Sequence, residues 1–207
     1  MLIAQLSDPH VRPNGELYQG VVDSNAQFAL AIAALNALDP RPDLVLLSGD
    51  LVDHGHDDEY AMLLDLLAAL EIPFLAIPGN HDEREAFRRA FAGRSWLPVA
   101  GPVDYVVGDR GPVRIVAFDV TLPGLHHGMV GAEGAAWLDA MLAARFSEAR
   151  DAGQVSATPS PADRARLTQA VLHSLAVRSR AGESRESLSA MAAQGIAMVC
   201  GVDSMRD

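Results

Sequence analysis

The stretch Leu44-Val45-Leu46-Leu47-Ser48-Gly49-Asp50 decides the fold. Four consecutive apolar residues without polar alternation suit a strand buried on both faces, as in a parallel sheet covered by helices. The run passes directly into Ser48-Gly49-Asp50. Glycine permits a sharp turn there, and an acidic side chain is left at the carboxyl end of the strand. Two other segments repeat this layout. Residues 2–6 are mostly apolar and lead into Ser7-Asp8-Pro9-His10. Residues 74–77 lead into Pro78-Gly79-Asn80-His81-Asp82.

Between these strands lie helical patterns. Residues 21–38 place Phe28, Leu30, Ile32, Leu35 and Leu38 at near-helical spacing and close at Asp39-Pro40. Residues 60–70 and 83–91 read as further helices. Residues 105–107 and 113–118 read as a hairpin around Asp109-Arg110-Gly111, and residues 135–146 as another helix. The order βαβαβα followed by strands predicts an α/β sheet with helices packed on it.

Composition divides the chain near residue 147. Residues 1–146 carry 20 Asp and Glu against 9 Arg, so they account for the whole net charge of −11, while residues 147–207 carry 7 of each sign. All 11 aromatic residues precede Ser147, whereas 9 of the 13 serines follow Phe146. The chain has no Lys; all 16 basic residues are Arg. Residues 147–207 are therefore expected to pack poorly, with weak helices over 167–178 and 188–198. Such a break fits a truncated end or a segment translated out of frame, and residues 1–146 are taken as the patterned domain.

The same numbers exclude several function classes. An acidic chain lacks the basic surface that nucleic acid or an anionic membrane requires. No apolar run approaches the roughly 18 residues of a membrane span. The start, MLIAQLSD, has no basic n-region or long apolar stretch, so no secretion signal is expected. A single cysteine, Cys200, forms no internal disulfide and fits a reducing, cytoplasmic setting.

Ligands of α/β sheets gather at strand carboxyl ends, so the three loops should converge. Asp8 and His10 are two apart on an extended segment and can address one cation. Asp50 has two oxygens and can bridge two cations. Asn80 offers a neutral oxygen, and His81 a titratable imidazole beside the ions. Mixed oxygen and nitrogen donors suit Mn, Fe or Zn better than Mg or Ca.

Asp8-x-His10, Gly49-Asp50 and Gly79-Asn80-His81-Asp82 together resemble the first three blocks of the calcineurin-like metallophosphoesterases. Within that family the chain is most similar to the class III bacterial cyclic-nucleotide and glycerophosphodiester phosphodiesterases. Arg41-Pro42-Asp43, Glu59-Tyr60 and Pro123-Gly124 lie in supporting stretches. The resemblance covers residues 1–146 and implies part of a four-layer α/β/β/α sandwich, incomplete at the C-terminus. It implies hydrolysis of a small phosphodiester by a hydroxide bridging two divalent ions. Asp8 and His10 would hold the first ion, Asp50 would bridge, Asn80 would help hold the second, and His81 would be the catalytic residue near the leaving group. Homo-oligomer formation is left open.

The family also has a His-His-Pro-Pro-like block and a Gly-His-x-His block, and neither is found here. His173 is the one histidine after Phe146, and Val202 and Ser204 stand where histidines of the last block would be. The alternatives are therefore a catalytically impaired fragment of such an enzyme or a relative acting on phosphomonoesters. Among the remaining candidates, His54 and His56 read as solvated loop residues. His126-His127 resembles a substrate-side loop, Asp82 reads as the cap of the helix after it, and Asp119 as structural.

Overall fold

A computed structural model describes residues 1–111 and 113–201; Val202 and Ser204 lie outside the described residues. The chain divides into two compact units, Met1–Met129 and a second that begins at Val130. In the first, β1 (Ile3–Leu6), β2 (Leu44–Ser48) and β3 (Phe74–Ile77) form a parallel sheet in the order β1-β2-β3. Ile3 pairs with Leu44 and Val45 with Phe74, so the three strand ends are staggered only slightly. β2 is hydrogen-bonded on both sides, and Leu44, Val45 and Leu47 are fully buried, as their uninterrupted apolar run requires.

The crossover helices start where side chains supply caps. Helix α1 (Ser24–Asn36) begins three residues later than its apolar pattern suggests, because the Asp23 carboxylate accepts the Ala26 N–H at 2.9 Å. Helix α2 (Asp57–Leu67) begins three residues earlier than expected. Its first turn is Asp57-Asp58-Glu59, invisible to apolar periodicity but favoured at the positive end of a helix. Helix α3 (Arg84–Ala90) is capped by Glu83, whose carboxylate accepts the Ala86 N–H at 2.7 Å. Asp82 is therefore not the cap expected from the sequence; its side chain turns the other way.

After α3, strands β4 (Tyr105–Arg110) and β5 (Val113–Ala117) pair antiparallel, with a register shift between Val107 and Arg110. β4 thus runs through Asp109 and Arg110, which the sequence assigned to the turn. The core continues from the parallel sheet into an aromatic cluster. Phe87 and Phe91 rings are 4.7 Å apart, Phe91 and Trp96 5.8 Å, and Trp96 and Tyr105 5.1 Å. The Tyr105 hydroxyl donates to the Ala76 carbonyl at 2.7 Å, tying β4 to β3. The observed class is mixed α/β, with a parallel and an antiparallel sheet.

The second unit consists of α4 (Ala132–Asp151), α5 (Pro161–Arg180) and α6 (Arg185–Cys200), with α5 packed against both neighbours. Helix α4 passes through Phe146 and Ser147 without interruption, so the composition break falls inside an element. Helices α5 and α6 extend beyond 167–178 and 188–198. Ser160 and Ser184 accept N–H groups of Asp163 and Ser187, and Pro161 stands at the first helical position. Gly195 admits the close approach of α5: a Cβ there would lie 2.6 Å from a Val171 methyl.

A buried Arg164 joins the loop before α5 to the end of α6. It is 1% exposed and donates to the carbonyls of Ser156, Thr158, Pro159 and Val199. Its charge meets the negative end of α6 at Val199. Arg164→Ala should strand these acceptors and leave a void, costing about 2–4 kcal/mol. Limited proteolysis should then cut within residues 152–160 well before the first unit is touched. Unchanged resistance at that loop would contradict this role for Arg164.

Candidate metal centre

The loops that follow the parallel strands are laced together by backbone hydrogen bonds. Asp8 N–H donates to the Gly49 carbonyl at 3.1 Å, His10 N–H to Asp50 at 3.1 Å, and Val11 N–H to Leu51 at 3.0 Å. On the other side of Asp50, His81 N–H donates to its Oδ1 at 3.0 Å. Gly79 makes this possible, because a Cβ there would lie 2.2 Å from both the Asp50 nitrogen and Oδ1. Asp8, His10 and Asp50 hold φ at 57°, 42° and 49°, in the left-handed region that side chains normally avoid. Such backbone persists only where surroundings over-determine it, and it clusters at functional sites.

Asp8, His10 and Asp50 each present a ligand atom within 4.8 Å of the others. His10 Nε2 is 3.9 Å from Asp50 Oδ2. The Ser7 hydroxyl donates to Asp8. His10 Nδ1 is buried without a hydrogen-bond partner, its nearest carboxylate oxygen being Asp53 Oδ1 at 3.6 Å. Two carboxylates and an imidazole are a donor set that a divalent cation fits, while the unsatisfied Nδ1 faces Asp53, which forms a second close group with His10 and His81. Asn80 Nδ2 is 3.3 Å from His126 Nδ1, an arrangement that leaves the amide oxygen available as a metal ligand.

His81 is held differently. Its Nδ1 lies 2.7 Å from the Asp53 carbonyl oxygen. A carbonyl only accepts, so Nδ1 carries the hydrogen and Nε2 is left for exchange with a ligand. The His81 ring stands edge-on to His10 at 4.7 Å.

Asp53 was not singled out in the sequence, yet it sits at the centre of a second row. Its carboxylate accepts Arg12 Nη1 at 3.2 Å and lies 3.5 Å from His81 Nδ1. Arg12 Nη1 also reaches the fully buried Glu59 at 2.7 Å, and Glu59 Oε2 accepts the N–H groups of His54 and His56. Asp53, His54 and Glu59 also lie close enough together to bind a cation, but Arg12 already supplies that positive charge. The signal available was the three-residue step from Asp50 to Asp53 on one strand-end loop. His54 and His56 are exposed, as the sequence suggested.

Asp82 points inward. Its Oδ2 accepts Gly79 N–H at 2.8 Å and Leu51 N–H at 3.1 Å, while Oδ1 accepts the Tyr60 hydroxyl at 2.7 Å. Burial pushes its carboxyl up to about 6, against the pull of those three hydrogen bonds. Burial, and next the Asp82 charge, raise the Tyr60 phenol so that it remains a donor.

Beyond His81, a cavity of about 240 Å³ is lined by Asn80, His81, Arg84 and the loop from Thr121 to Gly124. That loop is anchored by Asp119, which accepts Arg84 Nε at 2.7 Å, Val103 N–H at 3.0 Å and Thr121 N–H at 2.8 Å. Burial alone would raise the Asp119 carboxyl, but the bonds from Arg84 and Thr121 outweigh it and hold the group below its ordinary value. On the opposite side, about 390 Å³ opens beside Asp8 and His10, where Tyr18 stacks on His10 at 4.6 Å.

Two outcomes follow from this geometry. Gly79→Ala should drive the Asp50 loop away, lowering stability by about 1–3 kcal/mol through overpacking and weakening Mn²⁺ binding in a calorimetric titration. Asp119 is depressed in the folded chain, so its contribution is present above the unfolded carboxyl value near 4 and is lost as pH falls through the lower folded value. Asp119→Asn should cost about 1–3 kcal/mol at neutral pH. It should also flatten the loss of stability below about pH 4 measured by denaturant unfolding.

Comparison with known proteins identifies the family. A model of the calcineurin-like phosphoesterase family matches residues 1–152. A probable glycerophosphodiester phosphodiesterase, GpdQ, of Arcobacter nitrofigilis is 34% identical over 142 residues, which cover 69% of this chain and 52% of that protein. The glycerophosphodiester phosphodiesterase GpdQ of Enterobacter lignolyticus is 36% identical over 146 residues, covering 69% and 51%. A cAMP/cGMP dual specificity phosphodiesterase of Mycobacterium tuberculosis is 31% identical over 146 residues, covering 69% and 45%. The chain thus spans about half the length of these relatives. Among the described residues, no helix is long and apolar enough to cross a membrane. Three strand-end loops converging on one acidic centre, and a family match spanning residues 1–152 of 207, establish that the chain belongs to the calcineurin-like phosphoesterase family.

Proposed function

We propose that the centre formed by Asp8, His10, Asp50, Asn80 and His81 is the metal-dependent site of a phosphodiester hydrolase. Its substrate class is a small phosphodiester, a cyclic nucleotide or a glycerophosphodiester. The observation that carries this reading is the convergence of Asp8, His10 and Asp50 donor atoms within 4.8 Å, beside an imidazole that is not needed to complete that set. The phosphodiesterase names of the relatives support the diester class.

Asp8 and His10 would hold a first divalent ion, Mn, Fe or Zn by donor chemistry. Asp50 could offer an oxygen to each of two ions, and the Asn80 amide oxygen would serve the second. Divalent ions supply Lewis acidity toward phosphate oxygens and lower the pKa of water. The chain's own residues do the rest. His81, fixed through Nδ1 by the Asp53 carbonyl, presents Nε2 to orient the phosphate or to protonate the departing alkoxide. The Thr121 to Gly124 loop and Arg84 wall the cavity next to it, where a leaving alcohol can sit.

One observation favours a weaker variant of this reading. His10, Asp53 and His81 also lie within ligand distance of one another, but Asp53 is engaged by Arg12 and His81 Nδ1 by the Asp53 carbonyl, so the firmer set is Asp8, His10 and Asp50. Three such ligands suffice for one ion, and the second would rest on Asp50 and Asn80. The 207-residue chain is then expected to bind one Mn²⁺ firmly and to hydrolyse diesters slowly.

Mn²⁺ titration and bis(p-nitrophenyl) phosphate hydrolysis test both forms. Asp50→Asn should abolish firm binding and turnover together. His81→Ala should keep the bound Mn²⁺ and lower turnover by roughly 10²–10⁴-fold. Equal metal loss in both variants would make His81 a ligand, and faster cleavage of p-nitrophenyl phosphate than of the diester would favour a monoesterase.

A further inference from the structure

We infer that Asp82 is a positioning residue that locks the Asp50 loop and the Asn80 loop to one another. The inference rests on the metal centre proposed above and adds to it a residue that addresses neither ion nor substrate.

A single oxygen of Asp82 takes two backbone donors from different strand ends. Gly79 N–H, 2.8 Å away, immediately precedes Asn80; Leu51 N–H, 3.1 Å away, immediately follows Asp50. The two candidate ligands are therefore fixed through the same atom. The other oxygen is held by the Tyr60 hydroxyl at 2.7 Å. Tyr60 lies on α2, is 2% exposed, and packs edge-on against the Phe87 ring of α3 at 6.3 Å. The carboxylate is thus braced from the helical layer while it grips the loops.

The loops cannot hold this arrangement by packing alone. Gly79 and Asp50 touch backbone to backbone, with no side chain of Gly79 to interlock. Asp50 is also held in the left-handed region at φ 49°, a strained backbone that needs a counterweight. Two charge-assisted N–H bonds to one carboxylate oxygen are such a counterweight. Loss of the clamp should let the Asp50 and Asn80 loops drift apart, which metal affinity registers as a geometric penalty.

The chemistry predicts which replacement rescues. Asn at position 82 can still offer one oxygen to both N–H groups, and its amide can donate to Tyr60, whose hydroxyl both gives and accepts. Ala offers nothing, and Ser is too short to reach both donors.

The experiment uses the whole 207-residue chain and two readouts. In the metal-free protein, amide hydrogen exchange at Leu51 and Gly79 should accelerate at least about tenfold in Asp82→Ala and stay near wild type in Asp82→Asn. In calorimetry with Mn²⁺ alone, Asp82→Ala should bind about 10–100-fold more weakly, with Asp82→Asn within about threefold of wild type. Should Asp82→Ala fail to fold, Asp82→Ser carries the same comparison against Asp82→Asn. Unchanged exchange at Leu51 and Gly79 in the folded Ala or Ser variant overturns the clamp. Faster exchange with unchanged Mn²⁺ affinity overturns its role toward the ligands. A wild-type chain that binds no Mn²⁺ instead overturns the metal centre, an outcome separate from the exchange result.

Discussion

The contact between Gly79 and Asp50 is the constraint on which the centre depends. Parallel strands in register deliver their carboxyl ends to one edge, but they do not by themselves bring two loops within backbone contact. That last step needs a residue without a Cβ on one side, since a methyl at Gly79 would meet Asp50 at 2.2 Å. With the gap closed, the His81 N–H reaches the Asp50 carboxylate and the Asp82 carboxylate reaches back to Leu51. Sequence order thus becomes a cross-linked pair of loops.

Charge explains why two rows of acids coexist in so small a volume. Residues 1–146 carry the whole net charge of −11, and Asp8, Asp50, Asp53 and Glu59 all lie near one edge of the sheet. Arg12 neutralises the inner pair, Asp53 and Glu59, from which water is largely excluded and an unpaired charge would cost several kcal/mol. The outer pair, Asp8 and Asp50, is not part of the Arg12 cluster. Like charges at that separation repel unless a cation intervenes, and it is this outer pair that lies with His10. On the proposed reading, Arg12 serves as an internal cation for structure and the outer pair is left for an exchangeable one.

The fold was legible because its signals are local. LVLL at residues 44–47 and the apolar run at 74–77 announce parallel strands, and the strand-end residues Asp8, His10, Asp50 and the 79–82 loop announce a shared edge. Helix starts were less legible: apolar periodicity cannot see the acidic first turn of α2 or the Asp23 cap of α1. Asp82 was misread as a cap because an aspartate before a helix looks the same whether it faces the helix or the sheet. Glu83 took the cap, and Asp82 went to the two N–H groups. Asp53 and Arg12 were missed for a different reason. Their pairing spans 41 residues, and nothing local marks which acid of the 50–59 segment will meet a distant arginine.

The second unit makes the same point from the opposite side. Trp137 and Phe146 on α4 are its last aromatics, and residues 147–207 have none, although aromatic side chains supply much of the buried area in small cores. The helices nevertheless have local support that a composition count overlooks: serine caps at Ser160 and Ser184, Pro161 at a first position, and Gly195 where two helices meet. Arg164 then does with hydrogen bonds part of what a large apolar side chain does with area. A guanidinium satisfied by backbone carbonyls from one loop and one helix end fixes their relative position directionally, whereas apolar contact alone leaves them free to slide. The cost falls mainly at Val199, whose carbonyl lies in a buried setting and needs a donor if Arg164 is lost. Both units therefore rest on one polar side chain joining backbone groups from separate segments: Asp82 gathers N–H groups in the first, and Arg164 gathers carbonyls in the second.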